Sequence, residues 1–455
     1  MLTKTKNFVC TVCIILQLLA FFSCKVKEDT QSNGQLLTDL QQQLVQELNQ
    51  WLIPLGPSPL DLTDNELSFL DPLRDSKVVG LGEATHGTRE FFQMKHRIFQ
   101  YLVENCQHKA FGFEADFGES IYLDNYVTSG EGNLRELMME KMHFWTWKTE
   151  EVKQLLEWMK NYNTGKDEEE KIHYYGFDCQ FTTYQPELIH EYLLRTFPDL
   201  WETGSAVLGQ VKNLSTTDYQ NMSEATYNDI KTQLESFDNQ IIANKNLLIS
   251  NSSSSEYEIT RQLLNTFVQA FVVKYQGEND ISTNWRDLFM AENALWIADF
   301  FGQDTKITLW AHNGHIARYP SSGRNATMGS HLNEELNDLY QPVAFTFSQG
   351  SFTALGMDQN GNYTSVGPHQ ITDEPSSTSI NFLFHHASHL NFAFDLNAIP
   401  TGSQWDSWLA TPRSILSIGA VYNGIPGNYY RLINIPEHYS WIIYFNSTNA
   451  SVMLD

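Results

Sequence analysis

In this chain, histidine and carboxylate side chains recur where short apolar runs end. Glu83 and His86 follow the run Lys77–Gly82, Glu114 and Asp116 follow Lys109–Phe113, Asp178 follows Ile172–Phe177, and His312 and His315 follow Lys306–Trp310. If these runs are parallel strands, their carboxyl ends share one rim, the edge on which open α/β sheets build their sites. Imidazole titrates near neutrality, so His86 beside a carboxylate can take a proton from water and return it to a leaving oxygen. Glu83 or Glu114 would hold its tautomer. A lone histidine is better read as structural; four strand ends carrying ionisable groups are a more specific signal. Gly82 and Gly87 bracket Glu83 to His86, and Gly314 separates His312 from His315, so sharp turns are expected at both places. Thr88 is placed to cap the following helix. Arg89, in that helix's first turn, either adds positive charge at the same mouth or faces solvent.

Other chemistries lack their signatures. There is no Gly-x-Ser-x-Gly elbow, no His-Glu-x-x-His and no Walker A loop. Gly80-Leu-Gly82-Glu-Ala-Thr85 follows a strand and opens a helix as a dinucleotide loop would. It lacks the third glycine, and Glu83 would point negative charge at a pyrophosphate.

The elements that must position these groups alternate in type. From Lys77 to Phe177, and again from Trp285 to Ser348, short apolar strands alternate with longer helical patterns, which predicts an α/β fold with a mostly parallel sheet covered by helices. Leu37, Leu40, Leu44, Leu48 and Trp51 predict an amphipathic helix, ended by Pro54, Pro57 and Pro59. Between about 186 and 280 the strand signal fades, and Thr232–Ile249 and Tyr257–Tyr275 read as helices of an insertion. His143-Phe-Trp-Thr-Trp147 is a candidate aromatic wall for a cleft, though an ordinary core turn is the favoured reading.

Of 455 residues, 42% are hydrophobic and 13% aromatic, ample for a large core and contrary to disorder. Against 29 Lys plus Arg stand 54 Asp plus Glu, a formal charge of -25 that would repel a nucleic-acid backbone. Nucleic acid is therefore excluded as a partner, while an anionic small substrate stays open. At the front, Lys4 and Lys6 precede an apolar run from Phe8 to Phe22, then Ser23-Cys24 and a charged stretch, the pattern of a secretory signal. A small residue before Cys24 resembles the lipobox of bacterial lipoproteins, with Phe21 where that motif usually carries Leu. The expectation is a leader over 1–24, lipid on Cys24, a tether over 25–36 and one domain over 37–455. Export to a bacterial envelope follows, anchored to a membrane through lipid, or otherwise periplasmic or secreted. Cys10 and Cys13 lie within the leader, which leaves Cys106 and Cys179 as the remaining pair; spacing does not say whether they bridge.

Taken together, Gly82-Glu-Ala-Thr-His-Gly-Thr-Arg-Glu-Phe91, Phe113-Glu-Ala-Asp116, the Arg286-Asp-x-x-Met-Ala-Glu-Asn293 stretch and Ala311-His-Asn-Gly-His315 resemble the motifs of the erythromycin esterase family, in the family's order. The resemblance implies a three-layer α/β/α core with a helical insertion and a cleft between them. It implies that His86 activates water, supported by Glu83, Glu114 and one of His312 and His315, to open an ester or macrolactone without a covalent serine intermediate. Arg89, Arg286 and Asp116 are the expected substrate contacts, and Arg286 a further candidate for stabilising the oxyanion. No cofactor is called for, although three imidazoles and two carboxylates could also hold a divalent metal. A third reading, from a different class, is a lipid-anchored haem- or iron-binding protein; the chain is much longer than such proteins. Substrate identity and oligomeric state are left open.

Overall fold

The computed structural model describes residues 36–277, 284–321 and 326–455. The expected leader, Cys24 and the tether up to residue 35 lie outside them. Twelve strands occur among the described residues: β1 (Ile53–Pro54), β2 (Val78–Leu81), β3 (His108–Asp116), β4 (His173–Asp178), β5 (Lys306–Trp310), β6 (Tyr340–Met357), β7 (Tyr363–Ile371), β8 (Asn391–Asp395), β9 (Arg413–Leu416), β10 (Val421–Tyr422), β11 (Tyr430–Ile433) and β12 (Trp441–Thr448). Ten form one sheet with the path β1-β8-β12-β6-β2-β5-β3-β4, while β7 and β10 attach to β6; β9 and β11 pair separately. From β12 to β4 every pairing is parallel, and β1 and β8 are added antiparallel at one edge.

Successive residues of a strand point to opposite faces, and here both faces are apolar, as a sheet covered on both sides requires. Val78, Ala110, Ile307, Leu309, Ile442 and Tyr444 join one core. Val79, Leu81, Phe111, Phe113, Ile443 and Phe445 join the other. The expected α/β fold with its mostly parallel sheet is therefore present, with a core on each side. The four strands that end in ionisable residues are neighbours, in the order β2-β5-β3-β4.

Helix Asp39–Trp51 begins with a capping box from Thr38 and Gln41 and buries Leu44 and Leu48, whereas Leu40 stays exposed. The expected helical insertion runs from Gln185 to Gln276 among the described residues, and helix Trp285–Phe300 follows it before β5. One helix expected over Thr232–Ile249 is instead two, Glu224–Ala243 and Lys245–Ser250. Asn244 separates them, its side-chain amide donating to the Gln240 carbonyl in competition with the helix ladder. Strand β6, expected to be short, runs for 18 residues because beyond Ser348 it becomes one arm of a hairpin with β7. Cys106 and Cys179 are both buried and do not bridge. Among the described residues no helix is long and apolar enough to cross a membrane.

Candidate active site

The loop from Gly82 to Thr88 joins β2 to helix Arg89–Cys106. Its glycines are needed for close approach, not for the sharp turn expected of them: neither has a positive φ, nor has Gly314. A Cβ at Gly82 would lie 2.1 Å from Asn313 Oδ1, and one at Gly87 would lie 2.1 Å from the Thr353 carbonyl oxygen. Asn313 in turn receives the Phe345 N–H on Oδ1, donates Nδ2–H to the Phe345 carbonyl and gives its own N–H to the Glu83 carbonyl at 3.0 Å, which ties β6 to the loops that follow β5 and β2. Thr88 precedes the helix without capping it through its side chain; its hydroxyl is engaged 2.6 Å away by Thr85. Residues 449–451 fasten the far side of the loop. Arg89 N–H donates to the Asn449 carbonyl and Ser451 N–H to that of Gly87, each over 2.9 Å, while the Glu90 carboxylate accepts from Asn449 N and Nδ2.

On this rim His86 Nδ1 lies 2.7 Å from Glu83 Oε1. Glu83 is wholly buried and its other oxygen accepts from Lys95 Nζ at 2.6 Å and Trp310 Nε1 at 2.7 Å. With Nδ1–H donated to Glu83, the neutral His86 ring keeps a lone pair on Nε2, the atom a general base uses. Its side chain is 14% exposed, and the His312 ring sits 5.4 Å away. Lys95 is fully enclosed, with its ammonium 4.4 Å from the Trp310 ring; burial depresses it to about 8 against the opposing pull of Glu83.

Glu114 is linked to the same centre through the backbone. Its Oε2 accepts the His312 N–H at 2.9 Å, and its Oε1 accepts from Arg286 Nη2 at 2.9 Å, with His315 Nε2 at 3.3 Å. Burial opposes its ionisation, yet His315 and Arg286 outweigh that and hold the carboxyl below its ordinary value. His315 Nδ1 meets Asp287 Oδ1 at 2.7 Å. Burial disfavours its charge, but Asp287 and Glu114 prevail and raise it above 6.5. A charged, 3% exposed ring clamped by two carboxylates is a strut, so His312 is the member of the pair facing His86. His312 is pushed well below 6.5 by burial and by the neighbouring His86 and His315. Its Nδ1 accepts the Gly314 N–H, so the neutral ring carries its proton on Nε2, which lies 3.2 Å from Ser417 Oγ.

The structure thus brings Glu83, His86, Glu114, His312 and His315 together and engages the three expected substrate contacts with other protein groups. Arg286 is buried, gripping Asp178 through Nε at 3.1 Å and Nη2 at 2.7 Å besides Glu114. Arg89 turns toward Glu151, 3.5 Å away, a buried carboxylate that also accepts from Val452 N–H. Asp116 is completely buried, capping helix Phe117–Ser129 through Gly118 N, and burial raises it to about 7. His143 stacks on Phe181 at 3.9 Å, and Trp147 is core, its Nε1–H donated to the Glu114 carbonyl. Lys95, Trp310, Asp287, Asn313 and Ser417 belong to the site without having been singled out for it; only Asp287 and Asn313, lying within the matched motifs, carried a signal. Among the described residues no three His, Cys, Asp or Glu side chains are grouped to hold a metal ion. The oxygens of Glu83 and Glu114 already serve Lys95, Trp310, Arg286 and the two histidines.

A family model described as Erythromycin esterase matches residues 103–448. Erythromycin esterase type II of Escherichia coli is 24% identical over 393 residues, which span 77% of this chain and 90% of that protein. A Bacillus cereus protein of known crystal structure superposes with a TM-score of 0.79 over 91% of this chain and 99% of its own, at 22% identity. An erythromycin esterase mutant in its open conformation gives 0.63 over 87% and 97%, at 18% identity. At such identities the two structures speak for the fold, while the family match covers well over half of the chain. The protein belongs to the erythromycin esterase family and is a hydrolase.

Proposed function

We propose that the protein hydrolyses a carboxylic ester or macrolactone with a water activated by His86, without a covalent enzyme intermediate. His86 Nε2 takes a proton as the water oxygen bonds to the acyl carbon. The carbonyl oxygen becomes an oxyanion that accepts from His312 Nε2–H, a kind of donor often worth about 2.7 to 4 kcal/mol. The C–O bond then breaks, and the alkoxide receives the proton from the His86 imidazolium. Products are an acid and an alcohol, joined in one open chain when the substrate is a lactone.

The observation that carries this reading is the 2.7 Å contact of His86 Nδ1 with Glu83, which leaves Nε2 as the basic atom. The pairing of Ser417 with His312 does not amount to a nucleophile and base. With the Gly314 N–H on Nδ1, neutral His312 holds its proton on Nε2 and has no lone pair there for the serine hydroxyl. Glu83 and Glu114 orient the two imidazoles, while Arg286 and His315 hold Glu114. The test is a screen of macrolactones and simple esters with the wild-type chain beside His86→Ala. Turnover of any of them by the wild type alone supports the assignment, and equal turnover by both removes it. Cys24, we further propose, carries lipid and anchors an exported enzyme to an envelope membrane; Cys24→Ala should move the protein from the membrane to the soluble fraction.

A further inference from the structure

Glu119, His143 and Thr183 make a second acid–base constellation, beyond the ends of β3 and β4. Glu119, in the first turn of helix Phe117–Ser129, accepts the backbone N–H of His143 on Oε2 at 2.9 Å and holds ring atom Nδ1 with the same oxygen. His143 Nε2 lies 3.1 Å from Thr183 Oγ1. The burial repeats that of the Glu83–His86 pair. Glu119 and His143 have side chains 0% and 15% exposed, against 0% and 14% for Glu83 and His86, and Thr183 is open to solvent.

The tautomer decides what such a contact can do. Between Ser417 and His312 it rules out base catalysis, since His312 Nδ1 accepts an N–H and the ring proton sits on Nε2. In His143 the order is reversed. Glu119 accepts Nδ1–H, so the neutral ring keeps its lone pair on Nε2, and the Thr183 hydroxyl donates to it. Burial opposes charge on His143, but Glu119 and Asp116 outweigh burial and Lys148 and raise the ring above 6.5, so an imidazolium formed there is stabilised in place. The ring is also held in position. It stacks flat on Phe181 at 3.9 Å and meets Tyr184 at 5.2 Å, and these two residues flank Thr182 and Thr183 in the loop.

Thr183 stands in the turn between β4 and helix Gln185–Thr196, the place that a nucleophile takes in strand–turn–helix hydrolases. No side chain caps this helix, and the N–H groups of a first turn have no partner within their own helix. Pro186 has none to offer, which leaves those of Gln185 and Glu187 for oxygens that gain charge during attack. A helix N-terminus favours a phosphoryl group over a neutral one.

We propose that Thr183 is a nucleophile for an activated phosphoryl group, with His143 as its base and Glu119 orienting the imidazole. Thr183 Oγ1 bonds to phosphorus as its proton passes to His143 Nε2. The bond from phosphorus to the leaving group breaks, that group departs with the electron pair, and His143 passes the proton to it. The product is a phosphoester of Thr183. None of the three residues belongs to the hydrolytic site, so the inference is independent of the proposed function.

The experiment treats the folded protein with diisopropyl fluorophosphate, whose P–F bond is the one broken, and locates the adduct by peptide mass spectrometry. The wild type should be labelled on Thr183. Thr183→Ser should keep that label, and His143→Phe, which preserves the stacking on Phe181 but accepts no proton, should slow it by about 10² to 10⁴. A second readout needs no variant: labelling of the wild type should quicken as pH climbs through the raised value of His143 and then level off. No adduct on Thr183, an adduct on Ser417 alone, an unchanged rate in His143→Phe, or a rate that simply follows hydroxide would each overturn the proposal.

Discussion

Lys95 Nζ and Glu83 Oε2 meet at 2.6 Å in a place where neither side chain is exposed. The pair links the interior of helix Arg89–Cys106 to the rim loop, so the position of His86 depends on a lysine inside the core. Lys95→Met would leave the Glu83 carboxylate buried without its cation, a loss of about 3–5 kcal/mol in comparable buried pairs. Denaturant unfolding should show a drop of that order, with hydrolysis falling alongside. A variant that unfolds at the parental midpoint would mean that this pair does not hold the loop.

His86 itself is partly exposed and makes one side-chain hydrogen bond, to Glu83. Replacing it with alanine should lower kcat by about 10² to 10⁴, the usual range for a general base, and cost no more than about 1–3 kcal/mol of stability, the penalty for leaving Glu83 Oε1 without its donor. Retention of the wild-type rate would exclude the base assignment.

Ser417 offers a test of the covalent alternative. As a hydrogen-bond partner of His312 it should matter little, and Ser417→Ala should retain most activity, losing less than about tenfold. Complete loss, or a burst of acyl-enzyme in the wild type, would instead make it the nucleophile.

The clamp on His315 predicts two pH limits for stability. The folded state raises His315 above 6.5, so its contribution is complete below that value and fades as pH climbs through the raised native one. Asp287 behaves in the mirror sense: held at about 2 against an ordinary 3.8, it contributes fully above 3.8 and is lost as pH falls toward about 2. The gap in unfolding free energy between wild type and His315→Gln should narrow as pH rises from 6.5 through the raised native value. That between wild type and Asp287→Asn should narrow on acidification. Gaps independent of pH would mean that the two residues are not charged partners.

Gly82→Ala should be disproportionately harmful for one methyl group. The new Cβ would occupy the place of Asn313 Oδ1, and displacing it breaks the bond from Phe345 N–H. A cost of about 1–3 kcal/mol is expected from such overpacking, together with reduced hydrolysis. The same substitution at Gly361, where nothing lies within 4 Å, meets no such obstacle, although its positive φ carries a separate strain.

How much of this was legible beforehand follows from the range of the interactions. Glu83, His86, Glu114, His312 and His315 could be found because each follows an apolar strand, and strand ends in a parallel sheet share a rim. Lys95 was invisible: it lies mid-helix among apolar residues, and its partner is reached through the fold, not along the helix. Asp287 sits within a matched motif, but its pairing with His315 depends on how helix Trp285–Phe300 packs against β5. Ser417 comes to His312 from 105 residues away by way of the segment after β9. Arg286 was named through the resemblance and Asp116 through its strand end, and neither signal could tell a group facing a substrate from one turned inward to satisfy its neighbours.

The clasp between residues 449–451 and the loop around Gly87 has a bearing on how the enzyme is born. Glu90 and Asn449 stand 359 residues apart, so during vectorial synthesis the loop that carries His86 lacks these bonds until residue 449 has been added. Hydrolytic competence should consequently appear only after residue 449 has emerged, and a stop codon placed just upstream of Asn449 should yield a protein that retains much of its sheet yet loses hydrolysis.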